Sequence, residues 1–155
     1  MPRFEIKTEH TFHSSHATTE QVWYALTDFP RYPRWNNFIL HITGSPQIGK
    51  RLSFTFQLPR GVFLPATALV KVVNPHVELR WKGHFMLDIL FSAEHYFILS
   101  TNSSGTHLLH GEIFRGLLLP LVRPILKYKG PPIYQQMNSD LENFLATQTR
   151  DQEVS

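Results

Sequence analysis

The chain has 155 residues, enough for one domain with a single hydrophobic core. Its composition, with 42% hydrophobic and 17% charged residues, is that of a globular protein, and twelve Phe indicate a Phe-rich interior. The absence of Cys excludes disulfides, thiolate metal sites and a Cys nucleophile. The formal charge of +3 comes without a dense Lys/Arg run, so nucleic-acid binding is not expected.

The amino terminus is polar and charged, unlike the apolar core of a signal peptide. No apolar run approaches the ~20 residues that span a bilayer. These two features predict a cytoplasmic protein. Alternation of apolar and polar residues predicts a first strand over 4–14. Thr18 and Gln21 have the spacing of a capping box, which predicts a helix that Pro30 ends, with one further short turn behind it.

Six further runs have strand character and are separated by turn residues. They cover 38–43, 51–57, 63–73, 77–82, 90–100 and 106–114, the last two as a hairpin across 101–105. Short, regularly spaced strands joined by turns predict an antiparallel sheet. A seven-stranded sheet with one apolar face needs a cover, because a bare face would expose that surface to water.

The carboxyl-terminal stretch 117–147 supplies the cover. It opens with an apolar run, and the apolar residues of its second half recur at helical spacing: Tyr134, Met137, Leu141, Phe144 and Leu145. Gly130-Pro131-Pro132 predicts a break into two helical pieces, which would open the interior. The predicted class is α+β: a curved seven-stranded antiparallel sheet around a long, broken terminal helix, with two short helices between strands 1 and 2. The domain is expected to span 1–149, and the tail 150–155 is expected to fray.

Several motifs in this order resemble the SRPBCC superfamily of helix-grip proteins, which includes START domains, birch-pollen-allergen-like proteins and polyketide cyclases. The matching segments are Val22-Trp23-x-x-Leu26-Thr27-Asp28-Phe29-Pro30-x-Tyr32-Pro33-x-Trp35-Asn36, Gly49-Lys50-Arg51-Leu52, Glu78-Leu79-Arg80-Trp81-x-Gly83, His95-x-Phe97-x-Leu99, His110-x-Glu112-x-Phe114-x-Gly116 and Met137-Asn138-x-x-Leu141. The resemblance implies a cavity between sheet and helix. The superfamily's functions range from lipid or sterol carriage to polyketide cyclisation, so it implies no single reaction.

Strand periodicity places His95, His110 and Glu112 on the face that carries the large apolar residues. Three interpretations stay open for this group: acid/base catalysis, hydrogen bonding to a ligand, and a self-satisfied polar network that holds the hairpin. The same reasoning gives a wider set of residues expected to line the ligand site: Trp35, Phe54, Phe56, Trp81, His95, Phe97, His110, Glu112, Phe114, Tyr134, Met137 and Leu141.

No metal site or cofactor is expected. His10, His13 and His16 are spaced by three, which on a strand turns the middle side chain to the opposite face. His95, His110 and Glu112 offer three ligand types, but nothing in the sequence fixes their geometry.

The sequence favours a binding module for a small hydrophobic or amphipathic molecule, such as a lipid, a sterol or a polyketide-like aromatic. The alternative is a cyclase/dehydratase-like enzyme that uses the His/Glu group. A third possibility is an interaction protein whose cavity is filled by Phe side chains. Arg123, Lys127 and Lys129 lie beside the apolar run and fit either a solvated face or transient membrane contact. No obligate protein partner is evident.

Overall fold

A computed structural model describes residues 1–13 and 17–154. Seven strands and two α-helices follow in order. They are β1 Arg3–Phe12, α1 Thr19–Thr27, β2 Ile39–Thr43, β3 Arg51–Leu58, β4 Val62–Asn74, β5 Glu78–Phe85, β6 Phe91–Asn102, β7 Gly105–Arg115 and α2 Leu119–Glu153. A 3₁₀ helix, Phe29–Arg34, follows α1. The predicted elements are confirmed, with ends shifted by a few residues; Ser14, the predicted end of β1, lies outside the described residues.

All seven strands form one antiparallel sheet in the order β1-β7-β6-β5-β4-β3-β2. The predicted hairpin is present, because β6 and β7 pair from Ser92 and Arg115 to Asn102 and Gly105. The first strand, β1, forms one edge of the sheet and pairs with the last strand, β7. The sheet curves around α2, which packs mainly on β1.

The amino-terminal cap of α1 is formed as predicted. Thr18 Oγ1 accepts a hydrogen bond from the Gln21 amide at 3.2 Å, and Gln21 Oε1 accepts one from the Thr18 amide at 3.0 Å. This reciprocal pair satisfies two amides that the first helical turn leaves free. The helix then buries Val22 and Leu26 against the sheet.

Replacing Thr18 with Ala is expected to lower the free energy of unfolding by about 1 kcal/mol, because the cap acceptor is lost. Urea denaturation measures the change. Thr147→Ala serves as the control, since Thr147 is an exposed helical residue whose hydroxyl donates to the Phe144 carbonyl of its own helix. Equal losses in the two variants would contradict a role for the cap.

The terminal helix corrects one prediction: it does not form two pieces but runs unbroken from Leu119 to Glu153 through Gly130, Pro131 and Pro132. Each proline removes one helical hydrogen bond. The carbonyls freed by Pro131 and Pro132 belong to Lys127 and Tyr128, which are exposed, so water can satisfy them. The expected division at residue 149 and fraying of the tail stay predictions.

Packing on both sides of the Gly-Pro-Pro segment keeps the helix in line. One stripe of α2 is buried along its length: Leu119, Gly130, Tyr134, Met137, Leu141 and Leu145. Gly130 faces Ile6 of β1 so closely that a Cβ at this position would clash with the Ile6 side chain. Glycine therefore serves here as a contact point between helix and sheet. None of the described helices is both long and apolar enough to cross a membrane.

Candidate functional site

Strand pairing brings the three polar residues of the sequence hypothesis together on the concave face. His95 of β6 lies opposite Glu112 of β7, and Phe97 lies opposite His110. Because side chains two apart on a strand share a face, His95 and Phe97 project beside His110 and Glu112. His95 and His110 are 4% and 1% exposed, whereas the Glu112 side chain keeps 18% of its surface accessible.

The orientation of each ring follows from a chain of hydrogen bonds that begins at a backbone carbonyl. The Thr8 hydroxyl donates to the His110 carbonyl at 2.8 Å, so its oxygen accepts from Asn138 Nδ2 at 3.0 Å. The amide of Asn138 is thereby oriented, and its Oδ1 accepts from His110 Nδ1–H at 2.6 Å. Thr8 and Asn138 therefore fix the tautomer of His110.

The same logic extends to His95. Burial holds the pKa of His110 at about 4, although its bond to Asn138 opposes the shift, so the ring is neutral near pH 7. Its Nε2 is then an acceptor, and His95 Nε2–H donates to it across 2.9 Å. Burial, with a further contribution from His110, lowers the pKa of His95 well below its ordinary value. The remaining nitrogen, His95 Nδ1, is an unprotonated acceptor.

His95 Nδ1 points toward Glu112, whose Oε1 lies 3.9 Å away, beyond hydrogen-bond distance. The other carboxyl oxygen of Glu112 accepts a hydrogen bond from the Tyr134 hydroxyl of α2. Burial raises the pKa of Glu112 to about 7, with the Tyr134 bond opposing the rise. A carboxyl group with that pKa can give or take a proton at neutral pH.

Aromatic rings enclose the two histidines. Trp81 stacks on His95 with centroids 4.9 Å apart, and Phe97 stacks on His110 at 4.5 Å. The ring centroid of Tyr134, on α2, lies 5.6 Å from that of His95. Helix and sheet therefore touch at this level, and side chains fill the interior around the two histidines.

Open space lies where the β3–β4 turn approaches α2. A groove of about 450 Å³ runs between the β3–β4 turn and the middle of α2. Its lining residues come from both sides: Asn37, Phe38, Gln57, Leu58, Pro59, Arg60, Gly61, Pro132, Ile133, Gln136, Met137 and Asp140. A second cleft of about 200 Å³ lies between α1 and the end of α2.

The structure separates the residues predicted to line a ligand site into three sets. Met137 alone of them lines the groove. His95, His110, Glu112 and Tyr134 form the polar cluster deeper inside. The others pack in the interior, next to the groove or around the cluster: Trp35, Phe54, Phe56, Trp81, Phe97, Phe114 and Leu141. Phe56 connects interior and groove, because it packs on the groove residue Phe38 with centroids 5.2 Å apart.

Sequence reasoning missed Thr8 and Asn138, which orient the cluster. A signal for each was present. Thr8 shares strand parity with Phe4 and Ile6, so it had to face the interior. Asn138 lies four residues after Tyr134, which places a polar side chain on the buried stripe of α2. Polar residues at buried positions require partners, and these two partner His110.

The described residues contain no group of three or more His, Asp or Glu side chains placed to hold a metal ion. His10 instead pairs with Glu142 of α2 at 2.6 Å. His16 lies outside the described residues.

No protein-family model matches the sequence, and a search of curated proteins gave no match. Solved structures do match. Protein NE0264 from Nitrosomonas europaea aligns with a TM-score of 0.72 at 16% identity, over 94% of this chain and 96% of that one. Ara h 8.0201 aligns with a TM-score of 0.67 at 15% identity, over 94% and 99%.

A third match is the di-domain ARO/CYC protein StfQ from the steffimycin biosynthetic pathway. Its TM-score is 0.77 at 9% identity, over 95% of this chain and 52% of the longer protein. Ara h 8 and StfQ are helix-grip proteins of the SRPBCC superfamily. The chain described here has the same fold, so the architecture implied by the sequence motifs is confirmed.

Proposed function

We propose that this protein binds a small hydrophobic or amphipathic molecule, a lipid, a sterol or a polyketide-like aromatic, between the concave face of the sheet and α2. The observation that carries the proposal is the groove of about 450 Å³ between the β3–β4 turn and α2. Its size is in the range of small-molecule sites, and it has apolar walls with a few polar groups.

The apolar surface continues from the groove along the concave face. Leu64 of β4 lies opposite Phe56, and Phe85 of β5 lies opposite Phe91. Leu64 and Phe85 are 48% and 60% exposed although strand alternation turns them toward α2. Gly83 and Ala93 pair in the next row inward. An elongated apolar molecule fits such a surface.

The polar cluster lies at the inner end of this apolar surface. The row that holds Gly83 and Ala93 adjoins the row of His95 and Glu112. With a pKa near 7, Glu112 can donate a hydrogen bond to a ligand carbonyl or accept one from a hydroxyl. A ligand with an apolar body and one oxygen function is therefore favoured over a pure hydrocarbon.

Filling the groove tests the proposal. Gln136 is exposed and lines the groove, so Gln136→Trp should occupy its volume without disturbing the core. We expect at least a tenfold loss of affinity, because the ligand would have to displace the indole. Native mass spectrometry of the purified protein and titration with 8-anilinonaphthalene-1-sulfonate measure ligand retention and binding.

Gln135→Trp is the matched control, because the neighbouring Gln135 is exposed on α2 but does not line the groove. It should bind as the unmodified protein does. Equal ligand occupancy in both Trp variants and the unmodified chain would place the ligand outside the groove.

An enzyme of the polyketide cyclase/dehydratase type is the second candidate. The specific observation in its favour is the juxtaposition of Glu112, Tyr134 and the unprotonated Nδ1 of His95. Such a set could take a proton from carbon next to a carbonyl and return it to oxygen, as cyclisation and dehydration require. Exchange of deuterium at the α-carbon of a bound β-diketone measures this step, and a protein that binds the diketone without exchange would be a carrier alone.

A further inference from the structure

One end of the molecule exposes an unusual amount of apolar surface, starting with the first half of α2. Leu121, Ile125 and Tyr128 recur at helical spacing and are 76%, 65% and 73% exposed. The buried stripe of the helix, which includes Leu119 and Leu126, lies on the other side. A helix that packs on a sheet with one face and meets water with the other normally carries polar residues on its exposed face. Here that face carries Leu121, Ile125 and Tyr128.

Two further segments of the sheet add to this surface. The end of β5 and the β5–β6 connection expose Phe85, Met86, Leu87 and Ile89 by 55–71%. It adjoins the start of α2, because the amides of Leu117 and Leu118 donate to carbonyls of Ile89 and Leu90 at 3.1 and 3.0 Å.

The start of β4 lies at the same end of the sheet, since β4 and β5 are antiparallel neighbours. It exposes Val62, Phe63 and Leu64. We call these three segments, residues 62–64, 85–89 and 117–128, the apolar rim.

The helical segment of the rim carries positive charges and no negative ones. From 117 to 139 the sequence contains Arg123, Lys127 and Lys129 and no acidic residue. Among the described residues no carboxylate is within ion-pair distance of these three; Arg123 lies over the ring of Phe4 and Lys127 over that of Tyr128. Arg60 adds a fourth positive charge in the β3–β4 turn. The acidic residue on the β5–β6 connection, Asp88, is paired with Lys82 at 2.7 Å.

From this surface we infer that the apolar rim docks on an anionic lipid bilayer. Apolar side chains from three separate segments can enter the headgroup and upper acyl region, while the unpaired basic residues beside them meet anionic headgroups. A second copy of the chain fits this surface less well. A two-fold dimer whose axis passes through the helical part of the rim would set Arg123, Lys127 and Lys129 against the same cluster on the other copy.

The groove opens beside the rim, because Arg60 and Gly61 line the groove and immediately precede rim residue Val62. Docking would therefore bring the mouth of the ligand site to the membrane, and an apolar ligand could pass between bilayer and groove without crossing water. Docking itself is argued from the surface alone; the exchange of ligand rests on the proposed function.

Vesicle co-sedimentation of the full chain tests the inference. Vesicles of phosphatidylcholine with 30% phosphatidylserine should bind the protein at low salt, and phosphatidylcholine alone should bind it more weakly. The double variant Leu121→Ser/Ile125→Ser should lose at least tenfold in partitioning to both vesicles. Lys127→Gln/Lys129→Gln should lose about tenfold on anionic vesicles and little on neutral ones.

A control variant removes exposed apolar residues at the opposite end of the sheet. Ile48 and Val77, in the β2–β3 and β4–β5 connections, are 66% and 44% exposed. Ile48→Ser/Val77→Ser should bind vesicles as the unmodified protein does, and thermal unfolding should show that all variants fold.

Three results would overturn the inference: no binding to anionic vesicles, equal loss in rim and control variants, or a concentration-dependent dimer that Leu121→Ser/Ile125→Ser abolishes. Native mass spectrometry of the same preparations records bound ligand separately. Retained ligand without vesicle binding would contradict docking alone, and vesicle binding without any ligand would contradict the proposed function alone.

Discussion

Replacing Asn138 with Leu is expected to lower the free energy of unfolding by about 3 kcal/mol. The two side chains have the same number of heavy atoms and the same branching at Cγ, so the variant changes the shape of the site less than a truncation would. The loss comes from hydrogen bonds: His110 Nδ1–H loses its buried acceptor, and Thr8 loses the donor that satisfies its oxygen. An unpaired polar group inside the protein keeps the full cost of its lost hydration.

Asn143→Leu is the matched control, because Asn143 stands on the exposed face of the same helix. Its effect should stay within about 0.5 kcal/mol. Urea denaturation at pH 7 compares the two variants. Equal effects would mean that the buried amide contributes nothing that an exposed one does not.

The network also makes a spectroscopic prediction for Asn138→Leu. In the unmodified protein the His110 tautomer protonated at Nδ1 is enforced by Asn138, and His95 is protonated at Nε2 as a consequence. Without Asn138, nothing on the Nδ1 side holds that proton. Nitrogen-15 chemical shifts of the two rings should then report a mixture of tautomers, which a purely packing role for Asn138 would not produce.

The fold was accessible from the sequence because its signals are local and repeated. Strand alternation, turn residues and the Thr18 capping box each predict their own element, and the structure contains all of them. The predicted break in α2 was wrong because the prediction rested on the helix propensities of Gly130, Pro131 and Pro132 alone. Propensity gives the cost of Pro131 and Pro132, but the packing of Gly130 on Ile6 and of Tyr134 on the polar cluster is tertiary, and it keeps the helix continuous.

The candidate site was predictable only in part. Periodicity shows that His95, His110 and Glu112 face inward, but hydrogen-bond partners come from elements distant in sequence. Thr8 and Asn138 are separated by 130 residues and meet only because β1 pairs with β7 beneath α2. The groove depends on how far the β3–β4 turn stands from the helix, which no local pattern encodes.

Replacing Glu112 with Gln is expected to stabilise the protein at alkaline pH by about 2 kcal/mol and to have little effect at pH 4. The pKa of Glu112 rises from 4.5 in the unfolded chain to about 7 in the folded one. The folded state therefore favours the protonated form. Stability is lost as the pH rises from about 4.5 to about 7, and no further loss from this group follows above that range.

The full shift corresponds to about 3 kcal/mol, and water reaching the partly exposed carboxyl reduces it. Glutamine stays neutral throughout, and its amide can accept from Tyr134 and donate toward His95 Nδ1. Urea denaturation from pH 4 to pH 8 should give a difference between the two proteins that grows through this window. Glu9→Gln, at an exposed position of β1, is the control, and equal effects of the two variants would contradict the prediction.

The same variant distinguishes a binding role of Glu112 from a catalytic one. A carboxyl group that only anchors a ligand oxygen can be replaced by an amide with a loss of affinity of about tenfold, because the amide still donates and accepts. A carboxyl group that transfers a proton cannot, since an amide does not titrate near neutral pH. If Glu112→Gln keeps a bound β-diketone but abolishes deuterium exchange at its α-carbon, the cyclase-like reading prevails. If no exchange occurs in the unmodified protein and Glu112→Gln weakens ligand binding, the raised pKa of Glu112 serves ligand recognition. Its cost in stability above pH 7 is then the consequence of holding a neutral hydrogen-bond donor inside an apolar site.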